Sequence, residues 1–294
     1  ILVPDRHGNM LDVCLGHDSI ADYIRYGHQG CNFGALIGRY GNRIKDGKFT
    51  LNGVDYQLTI NDNGNCLHGG GEVAFHNRMW QAQPINNHSI AFTTISPDGE
   101  DGFPGNLSVK VTYTLTNDNA ISIAYEATTD KPTIINLTNH CYFCLSGAPS
   151  RDVMDEILYL NAEAYTPVDA NVAVTGEIAM VENTPFDFRT PKPVGQDIDA
   201  DDEQIKNGAG YDHCYVLNKK EEGELSFAAK STEPVSGRTM EVYTTEPGVQ
   251  LYTDNWADGY AGQNGATFPR RSGICFEAQH FPDSPNHPYF PSVV

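Results

Sequence analysis

The chain has 294 residues, enough for one large β domain or two ordinary domains and for a substantial hydrophobic core. It carries 38 acidic and 19 basic residues, and the resulting net charge of −19 argues against nucleic acids and anionic membranes as partners. No apolar run approaches the roughly 20 residues needed to span a bilayer, so the sequence predicts no membrane partner.

Short alternating segments dominate the first half of the chain. Residues 1–5 and 11–16 are predicted as short strands around a Gly8-Asn9 turn. Residues 48–51 and 54–58 are predicted as a hairpin, because Asn52-Gly53 between alternating runs is the strongest short-range hairpin signal. A meander is predicted next, with strands at residues 79–84, 89–96, 107–116 and 120–129.

The second half continues the same pattern. Strands are predicted at residues 157–164, 173–180, 211–217, 225–230, 238–245, 249–255 and 273–279. The acidic run 197–203 is predicted as surface with at most a short helix, and no linker, repeat or low-complexity tract interrupts the chain. The sequence therefore predicts an all-β protein, a large antiparallel β-sandwich forming one domain over residues 1–294 whose loops carry the site.

The stretch 136–145 contains a polar strand face. Side chains alternate between the two faces of a strand. One predicted face therefore carries Asn136, Thr138, His140 and Tyr142, and the other Leu137, Asn139, Cys141 and Phe143. Hydrogen-bonding groups around an imidazole suit the floor of a polar pocket better than a packed core.

Four further pieces carry chemically useful side chains. Asn42-Arg43 lies in a glycine-rich bend, and His68 lies in the glycine-rich loop 61–71. Asp212 begins an apolar strand, and Glu277 interrupts another. Each could have an ordinary structural role, as a surface charge, a turn residue, a strand-end cap or a partnered core acid. Because buried carboxylates are uncommon unless paired, Glu277 is the least consistent with a purely structural role.

Taken together and in this order, the motifs resemble the aldose 1-epimerase (mutarotase) family, the galactose mutarotases in particular. The resemblance runs nearly end to end and rests on GRYGNRI (38–44), the LNG hairpin with DYQL (51–58), CLHGG (66–70), NLTNHCYFCL (136–145), YDHCYVL (211–217), GVQLYT (248–253) and FEAQHFPDSPNHPYFPS (276–292). It implies a β-sandwich of the mutarotase supersandwich type, no cofactor, and interconversion of the α and β anomers of hexoses such as galactose and glucose.

Carried over residue by residue, the resemblance implies that Glu277 is the general base and His140 the general acid. It assigns substrate binding to Asn42, Arg43, His68, Tyr142, Asp212 and Gln250. We expect these residues to line one open pocket. Chemistry supports the assignment, because opening a pyranose ring requires one group to take the C1 hydroxyl proton and another to protonate the ring oxygen.

The chain departs from the family pattern in three places. Cys141 and Cys144 stand where the family more usually has Ser and Asn, which changes the surroundings of the histidine. The segment before the turn at residues 3–9 is short, and the chain stops at residue 294 where relatives continue into further strands. We therefore expect a domain trimmed at both ends, with altered sheet edges and unchanged chemistry.

The seven cysteines form no regular disulfide frame, which favours a reducing compartment and a cytoplasmic protein. Ten histidines and the Cys141-x-x-Cys144 spacing raise the question of a metal site. On a strand, residues three apart face opposite sides, so these two thiolates cannot hold one ion. We expect free thiols, Cys141 facing away from His140, no metal, and a monomer or weak homodimer with an aldohexose as its small-molecule partner.

Three alternatives to an aldose epimerase stay open at this point. A hexose-6-phosphate 1-epimerase of the same superfamily needs additional Lys or Arg for the phosphate, which an acidic chain supplies poorly. A glycosidase usually needs two carboxylates, for which Asp212 and Glu277 are available. A catalytically silent sugar-binding module is disfavoured because both proton-transfer residues are present.

Overall fold

A computed structural model describes residues 1–27, 31–147, 152–257 and 259–294. These residues form mostly strands and contain two α-helices, α1 (Ile20–Gly27) and α2 (Glu203–Gly208), neither of which is long and apolar enough to cross a membrane. In chain order the strands β1 to β24 are Leu2–Pro4, Met10–Asp12, Ala35–Ile37, Arg43–Ile44, Lys48–Leu51, Val54–Gln57, Cys66–Leu67, Gln81–Asn86, Ser89–Ser96, Leu107–Leu115, Ile121–Thr129, Thr138–His140, Tyr142–Phe143, Ile157–Leu160, Ala162–Thr166, Ala179–Met180, Lys192–Pro193, Asp212–Leu217, Ser226–Thr232, Thr239–Thr244, Gly248–Tyr252, Tyr260–Ala261, Thr267–Phe268 and Ile274–Gln279. The all-β prediction is confirmed.

The chain divides into two compact units. The first contains Ile1–Leu36 and Thr138–Pro291, and the second contains Ile37–Leu137 and Ser292–Val294. Each unit has a hydrophobic cluster of its own, since the buried apolar residues group separately within the two ranges. That residues 1–294 act as one mutarotase-like domain stays a prediction.

The first unit is a β-sandwich. One antiparallel sheet has the strand order β13-β24-β21-β18-β15-β16, and the other has the order β17-β14-β19-β20. The two sheets share one buried cluster, to which Leu158 contributes from the smaller sheet and Leu251 and Ile274 from the larger. Because side chains alternate along a strand, the intervening Gln250 and Glu277 lie on the opposite face of the larger sheet. That opposite face carries the polar residues.

The second unit contains an antiparallel meander and a hairpin. The meander has the strand order β11-β10-β9-β8, and its longest pairing joins Leu107–Leu115 to Ile121–Thr129. The hairpin joins β5 to β6 through Asn52-Gly53, whose φ values are 52° and 78°. Two consecutive positive φ angles match the tight turn that twisted hairpins prefer, which is why Asn-Gly occurs there.

Arg39 is buried in the second unit and forms hydrogen bonds to several of its backbone carbonyls. Its guanidinium is buried and donates hydrogen bonds to the Ser96 hydroxyl at 2.8 Å and the Ser96 carbonyl at 2.7 Å. Further bonds of 2.9 Å reach the carbonyls of Pro97, Pro104 and Gly105. A buried charge is tolerated only when its donors are satisfied, so this arginine has a structural role that the sequence did not reveal.

Several predicted elements differ in the structure. Helix α1 was not predicted, although Ile20, Tyr23 and Ile24 recur at helical spacing, because a pattern over only eight residues is too short to be distinctive. The predicted strand 157–164 is two strands divided at Asn161, and the predicted strand 173–180 is reduced to Ala179–Met180. The acidic run 197–203, predicted as surface with at most a short helix, leads into helix α2 at Glu203–Gly208, which Asp202 caps by accepting from Gln204 N and Ile205 N.

Candidate active site

His140 and Glu277 form the centre of the polar arrangement in the first unit. The His140 Nε2 atom lies 3.6 Å from Glu277 Oε1, and both side chains are almost completely buried. His140 ends β12 and Glu277 lies inside β24, so residues 137 positions apart in sequence become neighbours. An imidazole and a carboxylate this close can take up and release protons at one small group of substrate atoms.

The strand around His140 follows the predicted alternation but is not continuous. Residues 136–144 alternate between buried and half-buried positions, with Thr138, His140 and Tyr142 all buried. The stretch predicted as one strand is instead β12 and β13, separated by Cys141. The break interrupts the ladder without changing which side chains face inward.

Asp212 and Gln250 extend the polar face on the neighbouring strands. Gln250 lies opposite Glu277 on β21, and its Nε2 donates a hydrogen bond of 2.7 Å to Asp212 Oδ1 on β18. Gln250 Oε1 is buried and has no hydrogen-bond partner among the described residues. An unpaired buried acceptor costs free energy, and a ligand hydroxyl placed there would satisfy it.

Two aromatic rings and a thiol surround the His140 imidazole. Tyr142 stacks on it with ring centroids 4.9 Å apart, and Tyr252 meets it edge-on at 6.1 Å. Cys275 Sγ lies 3.4 Å from His140 Nδ1. Tyr142 was predicted as a substrate-binding residue; its ring packs on the imidazole, and a direct contact with sugar stays a prediction. Sequence reasoning missed Tyr252 and Cys275, because only long-range strand pairing brings them to the histidine.

The predicted Cys141-x-x-Cys144 pair separates as expected. Both are free thiols, and Cys144 Sγ lies 3.0 Å from the Ser146 hydroxyl. Cys141 instead interacts with Cys14, a contact that raises the pKa of Cys14 and lowers that of Cys141. The two sulfurs of the motif therefore have different neighbours, as strand alternation requires.

In the second unit, two hydrogen bonds join Asn42 and His68, one between their backbones and one from the Asn42 backbone to the His68 ring. The His68 N–H donates to the Asn42 carbonyl at 3.0 Å, and the Asn42 N–H donates to His68 Nδ1 at 3.2 Å. Since Nδ1 accepts this hydrogen bond, neutral His68 carries its ring N–H hydrogen on Nε2. Both residues have left-handed φ angles, 62° and 54°, a strained conformation that is frequent at functional sites. A Cβ on the following Gly69 would lie 2.2 Å from the Gly38 carbonyl oxygen, which explains the glycine.

Arg43 is oriented by an acid that sequence reasoning missed. Its Nε donates a 2.7 Å hydrogen bond to Asp62 Oδ2, and its backbone N–H donates to Asn42 Oδ1 at 2.8 Å. The second unit thus brings together the predicted binding residues Asn42, Arg43 and His68. The first unit brings together His140, Glu277, Asp212, Gln250 and Tyr142. A single pocket formed by all eight residues stays a prediction.

Burial shifts the protonation of several groups near the polar face. It lowers the pKa of His213 to about 3, so this imidazole is neutral; its Nδ1 accepts from the Asp212 N–H at 3.2 Å. Burial likewise raises the pKa of Tyr142 and Tyr252 well above the ordinary value. His213 and the two tyrosines are therefore all uncharged near neutral pH, and we leave proton exchange at this face to other side chains.

Comparisons with known proteins identify the family of this chain. The aldose 1-epimerase family model matches residues 1–294. The chain is 44% identical to the galactose mutarotase of Mus musculus over 99% of this chain and 82% of that protein. It is 39% identical to the aldose 1-epimerase of Escherichia coli over 98% of this chain and 82% of that protein. A crystal structure of an aldose epimerase homologue from C. elegans superposes with a TM-score of 0.88 at 29% identity, covering 99% of this chain and 86% of that one. The chain belongs to the aldose 1-epimerase family.

Proposed function

We propose that this protein is an isomerase that interconverts the α and β anomers of aldohexoses such as galactose and glucose. The observation that carries the proposal is the buried pair of His140 and Glu277, whose Nε2 and Oε1 atoms lie 3.6 Å apart on a polar sheet face. The family membership supports the same reaction, since relatives about 40% identical over nearly the full chain are galactose mutarotases and aldose 1-epimerases.

The reaction needs an acid and a base at one carbon atom. The C1 hydroxyl and the ring oxygen are both bonded to C1, so each of the two groups must come within hydrogen-bonding distance, about 2.6–3.2 Å, of one of these neighbouring oxygens. Glu277 takes the C1 hydroxyl proton as the C1–ring oxygen bond breaks, and His140 gives a proton to the ring oxygen. Rotation about C1–C2 exposes the other face of the aldehyde, and ring closure reverses both transfers. Neither residue is consumed, and no electrons are transferred overall.

Polar side chains, some neutral and some charged, are assigned to bind the hydroxyl groups of the sugar. We assign hydroxyl contacts to Asp212 and Gln250, because their hydrogen bond aligns a carboxylate and an amide on the same sheet face as Glu277. Asn42, Arg43 and His68 have the same assignment on the basis of the motifs that they occupy. A small aldohexose is the partner, the protein acts as a monomer or weak homodimer, and it acts in the cytoplasm.

Polarimetry tests the proposed activity directly. Freshly dissolved α-D-galactose and α-D-glucose are followed with the protein and with buffer alone, because mutarotation also proceeds without a catalyst. We expect both rotations to reach equilibrium faster in proportion to protein concentration. A folded protein that leaves both rates at the buffer value would contradict the proposal. Acceleration seen only with hexose 6-phosphates would reassign the substrate.

A further inference from the structure

Strand pairing places Cys275 between two tyrosines. In the pairing of β13 with β24, Tyr142 lies opposite Cys275, and in the pairing of β21 with β24, Tyr252 lies opposite the same residue. Side chains directly opposite each other in antiparallel strands share a face. The three side chains therefore project together from three adjacent strands of the larger sheet.

This group surrounds the His140 imidazole. Tyr142 stacks on the ring with an interplanar angle of 19°, and Tyr252 meets it at 80°. Cys275 Sγ lies 3.4 Å from Nδ1, and Glu277, two residues further along the same strand, has Oε1 3.6 Å from Nε2. Because the strand repeats every two residues, β24 supplies a neighbour to each ring nitrogen.

The acid role of His140 makes the neighbour of Nδ1 important. An imidazole that donates a proton starts as imidazolium, with hydrogen on both nitrogens. Once Nε2 has given its proton to the sugar, the remaining hydrogen lies on Nδ1 and needs an acceptor. A thiol sulfur is a weak hydrogen-bond acceptor, and it favours the neutral tautomer with hydrogen on Nδ1. Because it is uncharged, it stabilises the imidazolium less than a carboxylate would, so the imidazolium remains able to donate its Nε2 proton.

Cys275 is suited to remain a neutral thiol through this cycle. It is fully buried, and burial, followed by the negative charges of Glu277 and Asp254, raises its pKa well above the ordinary value. A thiolate there would keep the His140 proton, whereas a neutral thiol only accepts a hydrogen bond from it.

We propose that Cys275 is a positioning residue for the anomer interconversion, accepting a hydrogen bond from His140 Nδ1–H so that Nε2 alone exchanges protons with the ring oxygen. In the opening step the Nε2 proton moves to the ring oxygen, which takes the electron pair of its broken bond to C1. The C1 hydroxyl proton moves to Glu277 as the carbonyl bond forms. The inference rests on the proposed function, since it concerns the acid of that reaction.

Two substitutions at Cys275 distinguish a role in orienting His140 from a role in core packing. Cys275→Ala removes the acceptor, and Cys275→Ser keeps one. We expect Cys275→Ala to lower kcat by about tenfold or more through a misoriented acid, with an unchanged KM because Cys275 is assigned to His140 and not to the sugar. Cys275→Ser should retain most of kcat.

A second buried thiol–imidazole contact provides the matched control. Cys31 Sγ lies 3.9 Å from Nε2 of His17, whose Nδ1 lies 2.6 Å from the Ala261 carbonyl oxygen. Cys31→Ala removes a similar buried thiol beside an imidazole that has no assigned part in the reaction. We expect it to lower stability comparably and to leave kcat unchanged.

The tautomer of His140 provides a readout that packing alone would not change. ¹⁵N NMR of the imidazole nitrogens in sugar-free protein should show neutral wild-type His140 with its hydrogen on Nδ1. Cys275→Ala should shift the population toward hydrogen on Nε2, and Cys31→Ala should not. The measurement does not depend on catalytic activity. The wild-type spectrum alone tests the predicted tautomer, so the inference can be tested even if a variant folds poorly.

Two results would overturn the inference while leaving the proposed function intact. One is an active wild type whose neutral His140 carries its hydrogen on Nε2. The other is a folded Cys275→Ala variant with wild-type kcat and an unchanged tautomer. An inactive wild type would instead overturn the proposed function, and a polarimetric assay of the wild type distinguishes that case from the other two.

Discussion

Gln250 Nε2 donates a 2.7 Å hydrogen bond to Asp212 Oδ1, joining the amide on β21 to the carboxylate on the neighbouring β18. Both side chains are buried, so water cannot easily replace the Gln250 donor. The hydrogen bond therefore stabilises the Asp212 carboxylate and fixes the position that it presents to a ligand. Hydrogen bonds to ionised groups are stronger than those between neutral groups. In the proposed function, this hydrogen bond holds the Asp212 carboxylate and the Gln250 amide in place for a sugar hydroxyl.

Replacing Gln250 by Met should weaken both sugar binding and the fold. The side chain keeps its length, but Asp212 loses a donor, and we expect a loss of stability of about 1–3 kcal/mol. KM for galactose should rise more than kcat falls, because Gln250 is assigned to holding hydroxyls. Polarimetry and thermal unfolding measure the two effects. The exposed Gln81→Met is the control, and unchanged KM in the Gln250 variant would remove Gln250 from the binding residues.

Removing the guanidinium of Arg43 should affect binding more than chemistry. Arg43→Ala should raise KM more than it lowers kcat, because the charge is assigned to the sugar and not to proton transfer. Asp62→Asn should produce a smaller change in the same direction, since Asp62 Oδ2 orients Arg43 Nε at 2.7 Å. Polarimetry over a range of galactose concentrations separates KM from kcat.

The control for Arg43 is Lys110→Ala, which breaks an exposed ion pair with Glu126 in the same unit. Exposed pairs contribute little to stability, so this variant should resemble the wild type. Equal losses of kcat and kcat/KM in Arg43→Ala would instead indicate that the guanidinium stabilises the transition state.

Local patterns were sufficient to predict much of the fold and of the polar face. The alternation around His140 survives even though the strand breaks at Cys141, because packing against the core fixes which side chains face inward. Glu277 stood out because a carboxylate inside an apolar strand is costly, and the structure places it beside His140. Such signals lie within a few residues of each other and need no knowledge of tertiary structure.

Other features depend on contacts that no local pattern reveals. Arg39 and Arg43 lie four residues apart in one glycine-rich segment, yet Arg39 is tied to backbone carbonyls inside the second unit and Arg43 to Asp62. Cys275 and Tyr252 meet His140 only through the pairing of strands distant in sequence. Side-chain type alone cannot distinguish these roles, because long-range register decides them.

Asp254 should make stability depend on pH. It is buried with a left-handed φ of 51°, and its Oδ2 has no hydrogen-bond partner among the described residues. Burial raises its pKa from 3.8 to about 7. The folded state therefore binds this proton more tightly than the unfolded state, and the associated stability, full below pH 3.8, is lost as pH rises through about 7.

Asp254→Asn should therefore stabilise the protein at pH 8 and have little effect near pH 4. The amide stays neutral, fills the same volume and tolerates the left-handed backbone. Thermal unfolding of both proteins across this pH range should show a Tm difference that grows with pH. The exposed Asp155→Asn is the control and should show no such trend. A Tm difference independent of pH would show that Asp254 does not titrate as argued.

Variants of the central pair should separate the base from the acid. Glu277→Gln keeps shape and hydrogen bonding but cannot accept the C1 hydroxyl proton, so kcat should fall by at least ~10²-fold with sugar binding largely intact. His140→Asn should cause a similar loss from the acid side. Polarimetry gives kcat, and thermal unfolding of each variant checks that it is folded.

The double variant Glu277→Gln with His140→Asn tests whether the two residues act in one step. Because Nε2 and Oε1 lie 3.6 Å apart and both protons move as one ring bond breaks, losing either partner already disables that step. The double variant should then lose far less than the product of the two single losses. Fully multiplicative losses would mean that the residues act independently. Near-native activity in folded Glu277→Gln would place the base elsewhere, with Asp212 as the next candidate.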